Sequence, residues 1–191
     1  MKVVLVCGSP RQNGNTQKIL EIAQATLKDE GVETELILLT AKTIKPCIAC
    51  NGCRETKNKT CAIKDDDFQE VFDKIIDAEG FIIGSPVYFG SATSQTTSLL
   101  HRAGYVSRGN GGLLKGKVGA PVVVARRAGH NFTYAQLALF YTINEMTVVG
   151  SSYWNVLFGR KPGEVLDDEE GVEAVKRCMK NTADLLKRYR S

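Results

Sequence analysis

The strongest constraint on the fold of this chain is a regular alternation of two residue patterns along its whole length. Short apolar runs rich in Val, Ile and Leu, typical of buried strands, are separated by segments whose apolar residues recur with the helical period. This alternation predicts right-handed crossovers and a doubly wound parallel sheet, an α/β fold with helices on both faces. The predicted strands are 2–7, 34–39, 80–84, 118–125 and 147–153, and the predicted helices are 16–28, 67–77, 92–107, 132–146 and 169–188.

The length and composition of the chain are those of one globular domain over 1–191. Its length of 191 residues leaves no room for a second full domain, and its composition, 43% hydrophobic and 24% charged, is that of a globular protein. No apolar run is long enough to span a bilayer, and the N-terminus reads as a strand and not as a signal peptide. We therefore expect a cytoplasmic protein without a membrane partner. The net charge of +4 forms no basic stripe, which argues against a nucleic-acid partner.

The turn after the first strand predicts an anion-binding site. Residues 8–16 read Gly-Ser-Pro-Arg-Gln-Asn-Gly-Asn-Thr and lead into a helix, so backbone N–H groups and the positive helix end converge there. The first helical turn carries no Asp or Glu, and Arg11 could add a charge-assisted contact to a phosphate. The spacing is neither a Rossmann fingerprint nor a P-loop, which argues against a nicotinamide or ATP fold. An ordinary capped turn is the alternative interpretation.

Two later turns are predicted to reach the same edge of the sheet, because the carboxyl ends of parallel strands share one edge. Tyr88 and Phe89 follow the third strand between Pro and Gly, and such aromatic residues suit a flat ring ligand, although a core role is equally compatible. After the fourth strand, Arg126 to Gly129 could approach the edge of that ring and stabilise negative charge on it. A solvated basic turn is the alternative there.

The segment 40–64, between the second strand and the second helix, is long, irregular and rich in cysteine. It contains four of the six cysteines, Cys47, Cys50, Cys53 and Cys61. The C-x₂-C-x₂-C spacing brings three thiolates to one face of a tight turn, as an iron–sulfur cubane requires, and Cys61 is the natural fourth ligand. The loop 44–64 is therefore predicted to hold a [4Fe–4S] cluster, with zinc, a redox dithiol and unliganded thiols as alternatives. Cys7 and Cys178 are expected to be core residues.

The first turn and the segment 84–90 resemble the flavodoxin-like NAD(P)H-dependent FMN reductases, whose sequences there are G-S-x-R-x-x-G-N-T and G-S-P-V-Y-F-G. The full cysteine set, followed by Asp-Asp-Asp-Phe at 65–68, is similar to the archaeal-type iron–sulfur flavoprotein family within that superfamily. The resemblance runs from Val3 to Gly159 and implies a flavodoxin-like five-stranded sheet of order 2-1-3-4-5 with bound FMN. The residues it implies for the FMN phosphate are Ser9, Arg11, Asn13, Asn15 and Thr16. Those it implies for the isoalloxazine ring are Pro86, Val87, Tyr88, Phe89 and Gly90.

The function that this resemblance implies is electron transfer by a flavin-dependent oxidoreductase. A [4Fe–4S] cluster would exchange single electrons with a partner such as ferredoxin, and FMN would collect them for a small-molecule acceptor. Since the second strand pairs with the first, the cluster and FMN are expected at the same edge of the sheet. The alternatives are an NAD(P)H-dependent FMN or quinone reductase without a functional cluster, and a redox or metal sensor.

The resemblance also implies a homodimer or homotetramer. The stretch 151–159 is a candidate contact between copies, because Tyr153, Trp154, Leu157 and Phe158 fall outside a clear core period. An exposed apolar patch of this kind often marks an interface.

Overall fold

A computed structural model describes residues 1–190 and contains a six-stranded sheet whose strands all pair in parallel. The strands are β1 (Lys2–Cys7), β2 (Glu33–Leu38), β3 (Gly80–Pro86), β4 (Val118–Ala125), β5 (Thr147–Val148) and β6 (Val156–Phe158). Their order is β2-β1-β3-β4-β5, with β6 also paired to β4. This order confirms the predicted flavodoxin-like sheet.

Helices cover both faces of the sheet. Within residues 1–190 they are α1 (Asn15–Asp29), α2 (Gly52–Thr56), α3 (Phe68–Asp77), α4 (Ser94–Gly109), α5 (His130–Ile143) and α6 (Glu169–Arg188), with short 3₁₀ helices at Leu39–Ala41 and Glu164–Asp167. Helices α1 and α6 bury one face of the sheet, and α3, α4 and α5 bury the other. Successive β1 side chains enter opposite cores, Leu5 on the α1 side and Val6 on the α3 side, as the strand period requires.

The fifth predicted strand, 147–153, is wrong in its extent. The chain pairs with β4 in two short pieces, because Val148 lies opposite Gly119 and Val156 lies opposite Val123. Val148 and Val156 are farther apart in the sequence than their partners Gly119 and Val123, so the residues between Val148 and Val156 leave the sheet. The segment Gly-Ser-Ser at 150–152 begins this excursion, and its low strand propensity explains the interruption.

Helix α4 connects the carboxyl edge of the sheet with its opposite edge. The Thr93 hydroxyl caps the helix by accepting from the Thr96 N–H at 3.3 Å, and it donates to the Gly8 carbonyl at 2.7 Å. The start of α4 is thereby tied to the turn after β1. Among residues 1–190, no helix combines the length and apolar character that a membrane crossing requires.

Candidate cofactor sites

An open cavity lies where β1, β3 and β4 end. Eight residues predicted for FMN line it: Ser9, Arg11, Asn15, Thr16, Pro86, Val87, Tyr88 and Arg126. Six further lining residues were not predicted: Gln12, Gly14, Val124, Gly159, Arg160 and Pro162. The other four predicted positions, Asn13, Phe89, Gly90 and Gly129, are not part of the lining. The cavity therefore unites the turns after β1, β3 and β4 with the segment that follows β6.

The electrostatics of this cavity favour an anion. Helix α1 points its N-terminus at the cavity without a side-chain cap and without an acidic residue in its first turn. Arg11, Arg126 and Arg160 line the walls, and none of the lining residues is acidic. Because unpaired N–H groups at a helix start attract negative charge, a phosphate fits this end of the cavity.

The turn after β1 is shaped by its own polar side chains. Ser9 is buried, and its hydroxyl accepts from the Arg11 N–H at 3.2 Å. Asn13 adopts a left-handed backbone with φ of 53°, and its N–H donates to the Gln17 side chain at 2.8 Å. Asn13 thus helps to form the turn and stays outside the cavity lining.

Asn15 joins the start of α1 to the segment after β6. Its side-chain amide donates to the Lys161 carbonyl at 2.9 Å, and its side-chain oxygen accepts from the Gly163 N–H at 2.7 Å. Gly159 permits this approach, since a Cβ there would lie 2.5 Å from Asn15 Nδ2. The Asn15 side chain is therefore already hydrogen-bonded, which leaves its backbone N–H as the group available to an anion.

The turns after β3 and β4 contact each other. Tyr88 and Ser91 close a tight turn, with the Tyr88 N–H donating to the Ser91 carbonyl at 2.8 Å. The central residues Phe89 and Gly90 have positive φ angles of 50° and 81°, and the Phe89 ring projects wholly into solvent. Gly129, with φ of 92°, leaves no room for a Cβ, which would lie 2.8 Å from Val87 Cγ1. Gly90 and Gly129 therefore shape the cavity wall from behind.

The four clustered cysteines line a second, small cavity, together with Arg102, Tyr105 and Val106 from α4. Cys53 and Cys61 are buried, Cys47 is half-buried and Cys50 is exposed. Left-handed backbone at Ala49 and Asn51 makes the tight turns that direct the thiols to one side.

Burial of Cys53, together with the charges of Cys61 and the neighbouring thiols, raises its pKa. Across residues 1–190, no three His, Cys, Asp or Glu side chains form a group that could hold a single metal ion. Four sulfur donors around one cavity with largely apolar walls are the donor set of an iron–sulfur cubane, so these residues fit that group.

The expectation that both sites lie at the same edge of the sheet is wrong. The segment after β2 turns away from that edge and follows α4, where Lys45 O accepts from Arg102 at 3.2 Å and Cys53 O accepts from Asn110 at 3.1 Å. Thr93 marks the edge, and at about 1.5 Å per helical residue Arg102 lies about 13 Å further along the axis. The cysteine cavity therefore flanks the middle of α4, while the anion-binding cavity lies near its start.

Cys7 and Cys178 lie in the core, as expected. Burial raises the pKa of each thiol to about 11, so both are ordinary packed side chains at neutral pH. His130 is also buried, and its Nε2 lies 2.9 Å from the Leu157 carbonyl. None of these three residues contributes to the two cavities.

Comparison with known proteins identifies relatives along nearly the whole chain. The family model for NADPH-dependent FMN reductase matches residues 1–160. An iron–sulfur flavoprotein of Methanocaldococcus jannaschii is 37% identical over 98% of both chains. An iron–sulfur flavoprotein of Methanosarcina thermophila is 34% identical over 97% of this chain and 95% of that one.

Solved structures show the same fold at low identity. RosB superposes with a TM-score of 0.80 at 17% identity, covering 100% of this chain and 80% of that one. A flavodoxin from Archaea superposes with a TM-score of 0.65 at 17% identity, covering 98% of this chain and 99% of that one. At this identity the likeness supports the flavodoxin-like fold.

Proposed function

This chain belongs to the NADPH-dependent FMN reductase family and, within it, to the archaeal-type iron–sulfur flavoproteins, which makes it a flavin-dependent oxidoreductase, and on this premise we propose that it transfers electrons between a [4Fe–4S] cluster and FMN. The observation that carries the proposal is the presence of two separate cavities. One has the polar, cationic lining that a flavin phosphate requires, and the other has four thiols.

The first cavity is proposed to bind FMN with its phosphate at the start of α1. The hydroxyls of Ser9 and Thr16 and the backbone N–H groups of the turn would donate hydrogen bonds to the phosphate, with Arg11 adding charge. The isoalloxazine ring would lie against Pro86 to Tyr88, where apolar and aromatic groups suit a flat ligand. Arg126 lines the same cavity and is proposed to stabilise negative charge on the ring.

The second cavity is proposed to hold the cluster through Cys47, Cys50, Cys53 and Cys61. When bound, a [4Fe–4S] cluster supplies one electron at a time, whereas a flavin accepts one or two, so the pair connects a one-electron donor to a two-electron acceptor. The cysteine loop presents Cys50 at the surface, leaves Cys47 half-buried and buries Cys53 and Cys61, which gives electrons an entry point while excluding water from the deeper half of the site.

A ferredoxin-like partner is proposed as the electron donor. The surface beside the cysteine cavity is basic on balance, because the loop exposes four cations, Arg54, Lys57, Lys59 and Lys64, against two carboxylates, Glu55 and Asp65. Such a surface favours association with an acidic protein and speeds its encounter. The terminal acceptor is proposed to be a small molecule that reaches the open flavin cavity, and the protein is proposed to work in the cytoplasm.

A homodimer or homotetramer is proposed for the assembly. Helix α5 contains no charged residue, yet Phe132, Leu139 and Ile143 are 75%, 67% and 62% exposed. Tyr153 and Trp154, in the excursion between β5 and β6, are also more than half exposed and pack against each other. Association would remove these apolar side chains from water.

The proposed route is tested by reducing the anaerobic protein with chemically reduced ferredoxin and following the absorbance of FMN. Cys50→Ser removes the exposed thiol ligand with little disturbance of the core, and Cys178→Ser, a buried thiol outside the site, is the matched control. We expect FMN reduction in the wild type and the control, and a loss of at least tenfold in rate in Cys50→Ser with FMN content unchanged. Equal rates in all three proteins would refute a role for the cluster.

A second candidate function is direct NADPH-dependent flavin reduction, which the match to the NADPH-dependent FMN reductase model favours. It predicts rapid bleaching of FMN by NADPH in the absence of any ferredoxin. It also predicts the same rate in Cys50→Ser, because hydride transfer to the flavin needs no cluster.

A further inference from the structure

Arg102 is the largest fully buried side chain of this protein's described residues, and it lies on α4 against the cysteine loop. Its guanidinium forms an ion pair with the Asp66 carboxylate, whose side chain is equally inaccessible to solvent. It also donates to the Lys45 carbonyl at 3.2 Å and the Ile63 carbonyl at 3.0 Å. The Phe68 ring stacks 4.0 Å from the guanidinium carbon.

The fourth N–H contact of this side chain is to sulfur. Arg102 Nε donates to Cys61 Sγ at 3.3 Å, so a buried cation faces one of the four thiols that line the cavity. Burying an ion pair costs several kcal/mol of desolvation, and an apolar pair of equal volume often stabilises a fold as well or better. Holding the loop in place therefore does not by itself explain why a cation faces this sulfur.

We propose that Arg102 is a positioning residue that orients Cys61 as a cluster ligand and raises the reduction potential of the cluster through its N–H···S hydrogen bond and charge. This inference rests on the proposed function, since it requires a cluster on the four cysteines. Nothing else in the described part of the chain places a cation as close to these thiols within the same cavity lining.

The physical basis is the charge that the cluster gains on reduction. Adding one electron makes the cluster and its thiolates more negative, and no bond is formed or broken. Hydrogen bonds to the sulfurs and nearby positive charge stabilise that reduced form, and both effects are strong where water is excluded. Asp66 opposes this effect, but it is bound to the far side of the guanidinium, so the positive group is the nearer one to the sulfur.

The test is a redox titration of the cluster, followed by electron paramagnetic resonance, in the wild type and three variants. Arg102→Gln removes the charge, Arg102→Lys keeps a charge without the planar geometry, and Asp66→Asn keeps the arginine while removing its counter-ion. We expect Arg102→Gln to lower the equilibrium constant for cluster reduction about tenfold, which lowers the potential by about 59 mV for one electron. The potential of Arg102→Lys is expected to lie between those of Arg102→Gln and the wild type. Asp66→Asn is expected to shift the potential in the opposite direction.

Opposite signs distinguish tuning from loosening, because both Arg102→Gln and Asp66→Asn break the same ion pair and would loosen the loop alike. A potential in Arg102→Gln equal to that of the wild type, or shifts of the same sign in both variants, would overturn the inference. If Arg102→Gln and Arg102→Lys lose iron while Asp66→Asn keeps it, the positioning role is supported. Loss of iron in all three variants would reduce Arg102 to a structural residue. A wild type without iron would contradict the proposed function itself, before Arg102 is in question.

Discussion

At the scale of single residues, the cysteines and the arginine that touches them differ in how far the sequence predicts them. The four cysteines lie within one short segment, so their spacing alone placed them around a common site, and the structure brings all four to one cavity. Arg102 could not be found in this way. Its partners Asp66 and Cys61 lie 36 and 41 positions away, and only the packing of α4 against the cysteine loop brings them together.

We expect Asp66→Asn to destabilise the protein and to change how its stability depends on pH. Burial alone would raise the pKa of Asp66, but hydrogen bonds from Arg102 and from the N–H groups of Lys45 and Phe68 hold it below its ordinary value. A depressed pKa contributes stability above the ordinary Asp pKa of about 4, and this contribution is lost as the pH falls below it. Breaking a buried pair by removing one partner costs about 3–5 kcal/mol near neutral pH.

Denaturant unfolding of the metal-free proteins measures this effect, since a chain of this length buries enough surface to fold without a metal. The free-energy difference between wild type and Asp66→Asn is expected to shrink steadily below about pH 4. Asp65→Asn is the control, because Asp65 is the exposed neighbour and pairs with Lys45 at the surface. If the free-energy difference stays constant with pH, the contact with Arg102 does not lower the pKa of Asp66.

At the scale of elements, the alternation of strands and helices was predicted well, and the failures occur where tertiary contacts override local pattern. The sequence predicts one strand over 147–153, but β4 pairs only with its first two residues, and β6 lies beyond it. The segment 160–165 carries no sequence signal of its own, and it reaches the flavin cavity because Asn15 binds it from the other end of the chain. Turns whose partners are distant in sequence are therefore the part of the site that pattern reading misses.

Gly159→Ala is expected to weaken FMN binding by at least tenfold. A Cβ at this position would lie 2.5 Å from Asn15 Nδ2 and 2.9 Å from Val165 N, so the segment 159–165 must move away from α1. Gly150→Ala is the matched control, because no atom lies within 4 Å of its new Cβ. The measurement is FMN titration of the flavin-free proteins by fluorescence quenching. An affinity in Gly159→Ala equal to that of the control would show that this segment does not shape the flavin site.

At the scale of the whole molecule, the sequence predicted the fold and the common cavity of the four cysteines, but not how far this cavity lies from the anion-binding one. The cysteine segment begins at the carboxyl edge, and hydrogen bonds to α4 then carry it about 13 Å along that helix. Topology fixes where a segment starts. The direction that the segment then takes depends on side-chain contacts, such as the hydrogen bond from Asn110 to the Cys53 carbonyl. Electron transfer within one chain must cover this separation.

Leu139→Glu is expected to dissociate the proposed oligomer. A carboxylate in the middle of the uncharged exposed face of α5 would have to be buried without a partner, which opposes association strongly. Sedimentation velocity measures the outcome, and Leu166→Glu, at an exposed apolar position on the 3₁₀ helix Glu164–Asp167, is the control. A monomeric wild type, or an unchanged sedimentation coefficient in Leu139→Glu, would contradict an interface on α5.

The most direct test of the account is the cofactor content of protein purified without oxygen. Iron, acid-labile sulfide, zinc and FMN are measured per chain, together with the visible absorption spectrum. We expect about four iron atoms, four sulfides and one FMN in each chain, with iron and sulfide lost together in Cys61→Ser while FMN remains. A yellow protein that contains FMN and one zinc ion but no labile sulfide would contradict the central claim.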